Sequence, residues 1–291
     1  MICWMNGTYQ EAEDLKISPF DHGFLYGVGF FETFRTYEGH VFLFDAHMNR
    51  LRGALEEFRI TMPYSDQEIR NVVHRLDQEA NEGDGYFRLN VSAGVHDIRL
   101  TPSVYETPNV ILFRKALPSA SRGTEKEGVW LKTPRNQPEG AVRYKSHNFM
   151  NNVRGRMELP SLGKSEGIFL TSEGHVAEGV TSNVFWMKKG QLFTPAIGTG
   201  ILPGTTRAFL LELAKGAGIP VNEGYYSKES VEEADEVFVT NAVQEIVPLS
   251  SIGGLPLPGA SGHNYQNLHA AYVQAIAFNV SPVHDTTLNR F

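Results

Sequence analysis

Five short segments carry residue types and spacings that can do chemistry. Lys145 stands in RYKSHNFMNN, between aromatic and polar neighbours at the expected start of a helix. A lysine in a partly desolvated pocket loses proton affinity and becomes a nucleophile toward carbonyl carbon. Most lone lysines are solvated surface charges, so Lys145 alone decides nothing. Glu178, in HVAEGVTSNVFW, is a carboxylate followed by glycine and small polar residues inside an apolar hairpin. Buried there it needs a partner, and either a cationic heteroaromatic nitrogen or an arginine meets that need. GILPGTTR, residues 200 to 207, places Gly204, Thr205 and Thr206 where a turn meets a helix. That geometry aims backbone N–H groups and hydroxyls at an anion, although an ordinary capped helix start reads the same way. Thr240 and Asn241 end an apolar strand at the polar break in VTNAVQEIVP, as an anion-binding turn or as a plain strand end. Arg50, in DAHMNRL, lies off the Met48, Leu51, Leu55, Phe58 stripe, where it either closes a phosphate site with a bidentate contact or stands solvated on a helix face.

Other chemistries find less support. The ten histidines show no two-histidine metal spacing, and GVGFF lacks the third glycine of a dinucleotide fingerprint, so neither a metal centre nor a Rossmann site is expected. The single cysteine, Cys3, forms no internal disulfide and reads as a small buried apolar residue. With 33 Asp plus Glu against 26 Lys plus Arg, net charge −7, the chain is not built for a large nucleic-acid footprint. No run reaches the roughly 18 apolar residues of a membrane span. The start, MICWMNGTYQEAED, lacks the blocks of a signal peptide, so a cytoplasmic protein without membrane or nucleic-acid partners is expected.

The elements that must position these residues follow from periodicity. Hairpins are expected around Asn6-Gly7 and Glu38-Gly39. Asp45 is expected to cap a helix with Met48, Leu51, Leu55 and Phe58 on one face, and Ser65 with Glu68 to form a capping box ahead of Ile69, Val72, Val73 and Leu76. GYFRLNVSAG and NVILFRKAL read as strands, after which residues 117 to 128 are polar and aperiodic. The second half reads as strand GVWLKT, a helix within KSHNFMNNVRGRMEL, hairpins GIFLTSEGHVAEG and SNVFWMKKGQLFTP, a helix after GILPG, the acidic helix SKESVEEAD, strands EVFVTN and EIVPLSS, and a C-terminal helix in NLHAAYVQAIAF. Hairpins outnumber strand-helix-strand units, so the class is α+β with mainly antiparallel sheets and flanking helices. At 291 residues two domains are expected: a small one over 1–117, a linker over 118–128 and a larger one over 129–291.

Taken in order, SPFDHGFLYGVGFFETFR (18–35), HMNRL (47–51), YKSHN (144–148), EGHVAEGVTSNVFW (173–186), GILPGTTR (200–207) and TNAVQEIVP (240–248) resemble the fold-type IV pyridoxal-phosphate enzymes, the class IV aminotransferase group that holds branched-chain aminotransferases, D-amino-acid aminotransferases and 4-amino-4-deoxychorismate lyases. The likeness covers nearly the whole chain. It implies a D-amino-acid-aminotransferase-like fold with pyridoxal 5'-phosphate as cofactor, Lys145 as the Schiff-base lysine and Glu178 as the residue that keeps the pyridinium nitrogen protonated. It implies a phosphate cup of Arg50, Gly204, Thr205, Thr206 and the Asn241 region, with Ser182 and Asn183 beside the ring edge. Tyr26, Phe31 and Thr33 would face the substrate across a domain cleft, in a homodimer.

Within the group, KSHN and FETFR are more like the lyases and D-amino-acid aminotransferases than the branched-chain enzymes, and SPFDHGFLYGVGFFETFR resembles the lyases of Gram-positive bacteria. The Arg-x-His pair of D-amino-acid aminotransferases is replaced here by His96 and Arg99 in HDIR. The resemblance therefore implies a lyase of folate biosynthesis making 4-aminobenzoate and pyruvate, with a D-amino-acid or branched-chain aminotransferase as the alternative. It leaves Arg88, Arg99 and Arg143 as candidates for the substrate carboxylate.

Overall fold

The computed structural model describes residues 1–99, 104–117, 122–161 and 163–280. Residues 118–121 of the expected linker lie outside them. The chain forms two compact units: residues 1–119 with 144–148 and the residues from 276 onward, and residues 120–143 with 149–275. Among the described residues no helix is long and apolar enough to cross a membrane.

The first unit comprises β1 (Ile2–Met5), β2 (Thr8–Glu11), α1 (His22–Tyr26), β3 (Gly29–Tyr37), β4 (His40–Val41), α2 (Phe44–Glu57), α3 (Asp66–Ala80), β5 (Gly85–Ser92) and β6 (Asn109–Ala116). Its antiparallel sheet has the order β2-β1-β6-β5-β3-β4. Asn6 and Gly7, at φ 49° and 92°, make the tight turn between β1 and β2, and Glu38 with Gly39 repeats the device before the two-residue β4. One sheet face is apolar: Trp4, Phe30, Phe34, Phe87, Leu89, Val91, Val110 and Leu112 pack with Met48, Leu51 and Leu55 of α2 and Ile69, Val72, Val73 and Leu76 of α3. The capping box of Ser65 and Glu68 is present. Asp45 does not cap α2. Leu43, in a left-handed conformation, takes the N-cap position, and Asp45 is the second helical residue, in the first turn, where its carboxylate accepts from Arg70 at 2.6 Å. Phe58 is the residue after α2 and is 38% exposed, with its ring 5.0 Å from that of Phe30.

The second unit comprises β7 (Lys126–Trp130), α4 (Met150–Met157), β8 (Ser165–Leu170), β9 (Val176–Gly179), β10 (Asn183–Lys188), β11 (Gln191–Pro195), α5 (Thr205–Gly216), β12 (Val221–Gly224), α6 (Lys228–Glu232), β13 (Glu236–Asn241), β14 (Glu245–Ile252), β15 (Leu255–Pro256) and α7 (His263–Val280), the last turn of α7 falling to the first unit. Its sheet runs β12-β11-β10-β13-β14-β7-β8-β9, with β15 on β14. Most neighbours are antiparallel, as expected. The pairs β7–β8, β7–β14 and β11–β12 are parallel. β7 starts at Lys126, inside the stretch expected as linker, because its backbone already pairs with β8 and β14. Apolar residues cover both faces, Ile168, Val184, Trp186, Val237 and Val239 on one and Leu131, Phe169, Ala177 and Ile201 on the other. α4 comes closest at Gly155, where a β-carbon would lie 2.4 Å from the Phe169 ring.

Candidate active site

In the first unit Lys145 is not at a helix start. Residues 145 to 147 run extended along β3: the Phe31 N–H donates to the Lys145 carbonyl at 2.8 Å, the His147 N–H donates to the Gly29 carbonyl at 2.9 Å, and Phe30 pairs with Ser146. These backbone bonds are the reason α4 begins only at Met150. Strand alternation then puts Lys145 and His147 on the same face as Phe31, away from the apolar core. The Lys145 ammonium lies 4.8 Å from the Phe31 ring centroid, and His147 stacks on the same ring at 6.3 Å. Burial first, and then the charge of Arg88, pushes the His147 imidazole down to about 4.

The three arginine candidates separate clearly. Arg88 faces Thr33 across β5 and β3. Its guanidinium lies 3.7 Å over Phe31 and donates from Nε to Asn90 at 3.0 Å. Among the described residues no carboxylate pairs with it, and burial lowers its pKa. Arg99 has a side chain 78% exposed and pairs with Asp97, two residues away, at 2.9 Å. Arg143 is buried in the second unit, donates to the Gly200 and Asn136 carbonyls, and is pushed down to about 10 by burial and then by Arg135. Arg88 is therefore the arginine available on the Phe31–Thr33–Lys145 face. Tyr26 sits in α1, 40% exposed, with its hydroxyl donating to the Ile98 carbonyl.

Arg50 is neither solvated nor isolated. Its Nε and Nη2 donate to the two oxygens of Glu32 at 2.8 and 2.6 Å, while His47 Nδ1 contacts Glu32 at 2.7 Å. Burial alone would raise the Glu32 pKa; Arg50 and then His47 outweigh it and bring it down to about 2. Sequence reading missed Glu32 and His47. The available signals were a carboxylate amid the apolar run FFETF and the three-residue spacing of His47 and Arg50 on one helix face.

In the second unit Glu178, at 4% exposure, is the hub. Oε1 accepts from Arg135 Nε at 2.8 Å and lies 3.8 Å from Arg143 Nε; Oε2 accepts from the Leu202 N–H at 2.9 Å and from Asn183 Nδ2 at 3.5 Å. The arginine partner that the sequence left open thus exists. Arg135, unforeseen, is held in turn by the side-chain oxygens of Asn136, Asn151 and Asn152. Asn183 also donates to the Leu202 carbonyl at 2.9 Å, locking β10 to the GILPGTT turn.

That turn requires its glycine. A β-carbon on Gly204, the N-cap of α5, would sit 2.1 Å from Asn183 Oδ1. Without a capping side chain, the first turn of α5 presents its N–H groups as an anion-binding end. Asn183 pairs with Thr240 across β10 and β13. The Thr240 hydroxyl is buried and has no hydrogen-bond partner among the described residues, a situation that costs about 1–3 kcal/mol unless a ligand relieves it. Asn241 itself is engaged locally: its Oδ1 accepts from the N–H groups of Val243 and Gln244. Of the two residues at this strand end, the buried donor without a partner is therefore Thr240. Ser182 donates to Glu166 at 2.8 Å.

These residues fit pyridoxal 5'-phosphate. Glu178 offers a carboxylate for a protonated ring nitrogen, and the α5 N-terminus with the unpaired Thr240 hydroxyl offers donors to a phosphate. The neighbour relations from Glu178 through Asn183 to Gly204 and Thr240 hold these groups together within one unit.

Comparison with known proteins agrees with this geometry. Residues 29–252 match the family model described as amino-transferase class IV. The chain is 42% identical over 277 residues to the aminodeoxychorismate lyase of Bacillus subtilis, covering 94% of each. It is 30% identical over 286 residues to the D-alanine aminotransferase of Listeria monocytogenes, covering 94% of this chain and 95% of the relative. The branched-chain amino acid aminotransferase structure from Escherichia coli superposes with a TM-score of 0.87 at 26% identity, covering 98% of this chain and 97% of that one. With the ordered motifs, the Glu178 hub and the anion-binding turn in one fold, the chain belongs to the class IV aminotransferase family.

Proposed function

We propose that the protein is a pyridoxal-phosphate-dependent lyase that converts 4-amino-4-deoxychorismate into 4-aminobenzoate and pyruvate. The observation that carries this reading is the 42% identity to the Bacillus subtilis lyase across 94% of both chains. The bound cofactor supplies an electron sink for the charge left when a proton leaves the amine-bearing carbon.

In this reading Lys145 would be the point of covalent attachment for the cofactor and the base that takes that proton. Glu178 holds the ring nitrogen protonated. Asn183 and the Leu202 N–H orient that carboxylate, and Arg135 keeps it from turning away. Arg50, Gly204, Thr205, Thr206, Thr240 and the backbone near Asn241 hold the phosphate, with Ser182 beside the ring edge. Arg88 receives a substrate carboxylate, in the pocket wall formed by Phe31, Thr33 and Tyr26. The first unit is the small domain and the second the cofactor domain of a cytoplasmic homodimer.

The test is an assay of purified, cofactor-loaded protein on enzymatically generated 4-amino-4-deoxychorismate, following 4-aminobenzoate and pyruvate. A parallel reaction contains D-alanine or L-leucine with 2-oxoglutarate. Equal amounts of 4-aminobenzoate and pyruvate establish the lyase. Glutamate without 4-aminobenzoate makes the protein an aminotransferase, a reading favoured by its 30% identity to D-alanine aminotransferase.

A further inference from the structure

The second unit buries a lysine that the reaction does not use. Lys126, at the start of β7, is 8% exposed, and its ammonium donates to Glu166 Oε2 at 2.8 Å and to Gln244 Oε1 at 3.1 Å. Each acceptor continues the chain. Glu166 Oε1 accepts from the Ser182 hydroxyl at 2.8 Å, and Gln244 Oε1 also accepts from Asn241 Nδ2 at 3.1 Å. One branch therefore ends on the residue before Asn183 and the other on the residue after Thr240. Asn183 and Thr240 are direct cross-strand neighbours, so a single charge braces both flanks of that pair.

The local backbone is shaped around this brace. A β-carbon on Gly179 would fall 2.0 Å from the Ser182 hydroxyl and 2.7 Å from Glu166 Oε1, so the strand carries a glycine where that hydrogen bond passes. Stability alone is a poor reason to keep such a cluster, because apolar residues of the same volume often replace a buried ion pair at no loss. What the cluster supplies instead is direction, since each acceptor accepts a fixed donor.

We propose that Lys126 is a positioning residue for the cofactor: its ammonium registers Ser182 and the Asn241–Gln244 turn against each other and so sets the grip of Asn183 and Thr240. The proposal rests on the reading of Asn183 as the residue that orients Glu178 toward the cofactor and of Thr240 as a phosphate contact.

The experiment titrates the cofactor-free full chain with pyridoxal 5'-phosphate and, separately, with pyridoxal, reading dissociation constants and the pH at which the bound visible band changes. It compares wild type with Lys126→Met, Gln244→Leu, Ser182→Ala, Asn183→Ala and the Lys126→Met/Ser182→Ala double variant, and urea melts report the fold of each. Gln244→Leu leaves the Lys126–Glu166 pair intact and decides the matter if Lys126→Met does not fold. The expected result is tenfold or greater weakening for Lys126→Met, several-fold weakening for Gln244→Leu, a displaced band titration in both, and a double variant no weaker than Lys126→Met alone. Wild-type affinity and band titration in folded Lys126→Met or Gln244→Leu, alongside weakened Asn183→Ala, overturn the proposal and leave the cofactor reading standing. Wild-type affinity in Asn183→Ala overturns both.

Discussion

Two charged clusters, one in each unit, are built in opposite ways. On the face of the first sheet away from its apolar core, Lys145, Arg88 and His147 gather around one aromatic ring, Phe31, and no carboxylate among the described residues neutralises Arg88. In the second unit the charged groups are paired: Glu178 with Arg135, Glu166 with Lys126, Glu245 with Arg122. Arg88, held by no carboxylate among the described residues, suits a substrate that brings one. A satisfied network suits a cofactor that must return to one position every turnover, because paired polar groups hold fixed directions.

The largest effect that can break this division is at Lys145. Lys145→Ala is expected to abolish turnover together with the cofactor label trapped by borohydride, detected by mass spectrometry; a variant that retains both removes Lys145 from its role. Glu178→Gln comes next. It should leave the chain folded but with a lower urea midpoint, because buried Arg135 loses its charge partner, and lower kcat by about two to three orders of magnitude, the scale of losing a preorganised electrostatic partner. Unchanged kcat there would contradict the electron-sink account.

Arg88→Gln sharpens the other side. Loss of a charged hydrogen bond of about 1.5–3 kcal/mol predicts a KM for the substrate raised roughly 10- to 100-fold, with cofactor affinity unchanged. Weakened cofactor binding instead would assign Arg88 to the cofactor. The smallest effect concerns His147. Its imidazole is held near 4 in the folded chain against an ordinary 6.5, so between these values the unfolded chain takes a proton that the folded chain refuses. Stability from this source is fully present above about pH 6.5 and is lost as pH falls toward 4, on the order of 3 kcal/mol at most. His147→Gln should flatten that part of the stability curve, read as urea midpoints at pH 5 and pH 7. A slope equal to wild type assigns the pH dependence elsewhere.

Much of the fold was legible because its signals are local. The Asn6-Gly7 turn, the Ser65–Glu68 capping box and the Ile69, Val72, Val73, Leu76 stripe each lie within a few residues, and each is present. Of the three misses, the one at Asp45 is local and the other two share a cause. Asp45 lost the cap position to a backbone conformation at Leu43, and Lys145 lost its helix to hydrogen bonds from β3, more than 100 residues away in sequence. β7 started early because its partners are β8 and β14. Long-range pairing overrides local preference, and periodicity does not encode it.

The same line divides the site. The sequence by itself singled out the candidates for chemistry, Lys145, Glu178, Arg50 and the GILPGTTR turn, because their order along the chain is specific. Only the tertiary structure decided which arginine stands on the Lys145 face, that Arg135 is the partner of Glu178, that Glu32 and His47 hold Arg50, and that Thr240 rather than Asn241 has a donor to offer. Each of those depends on which side chain meets which across distant strands, and direction and burial arise only once the strands have paired.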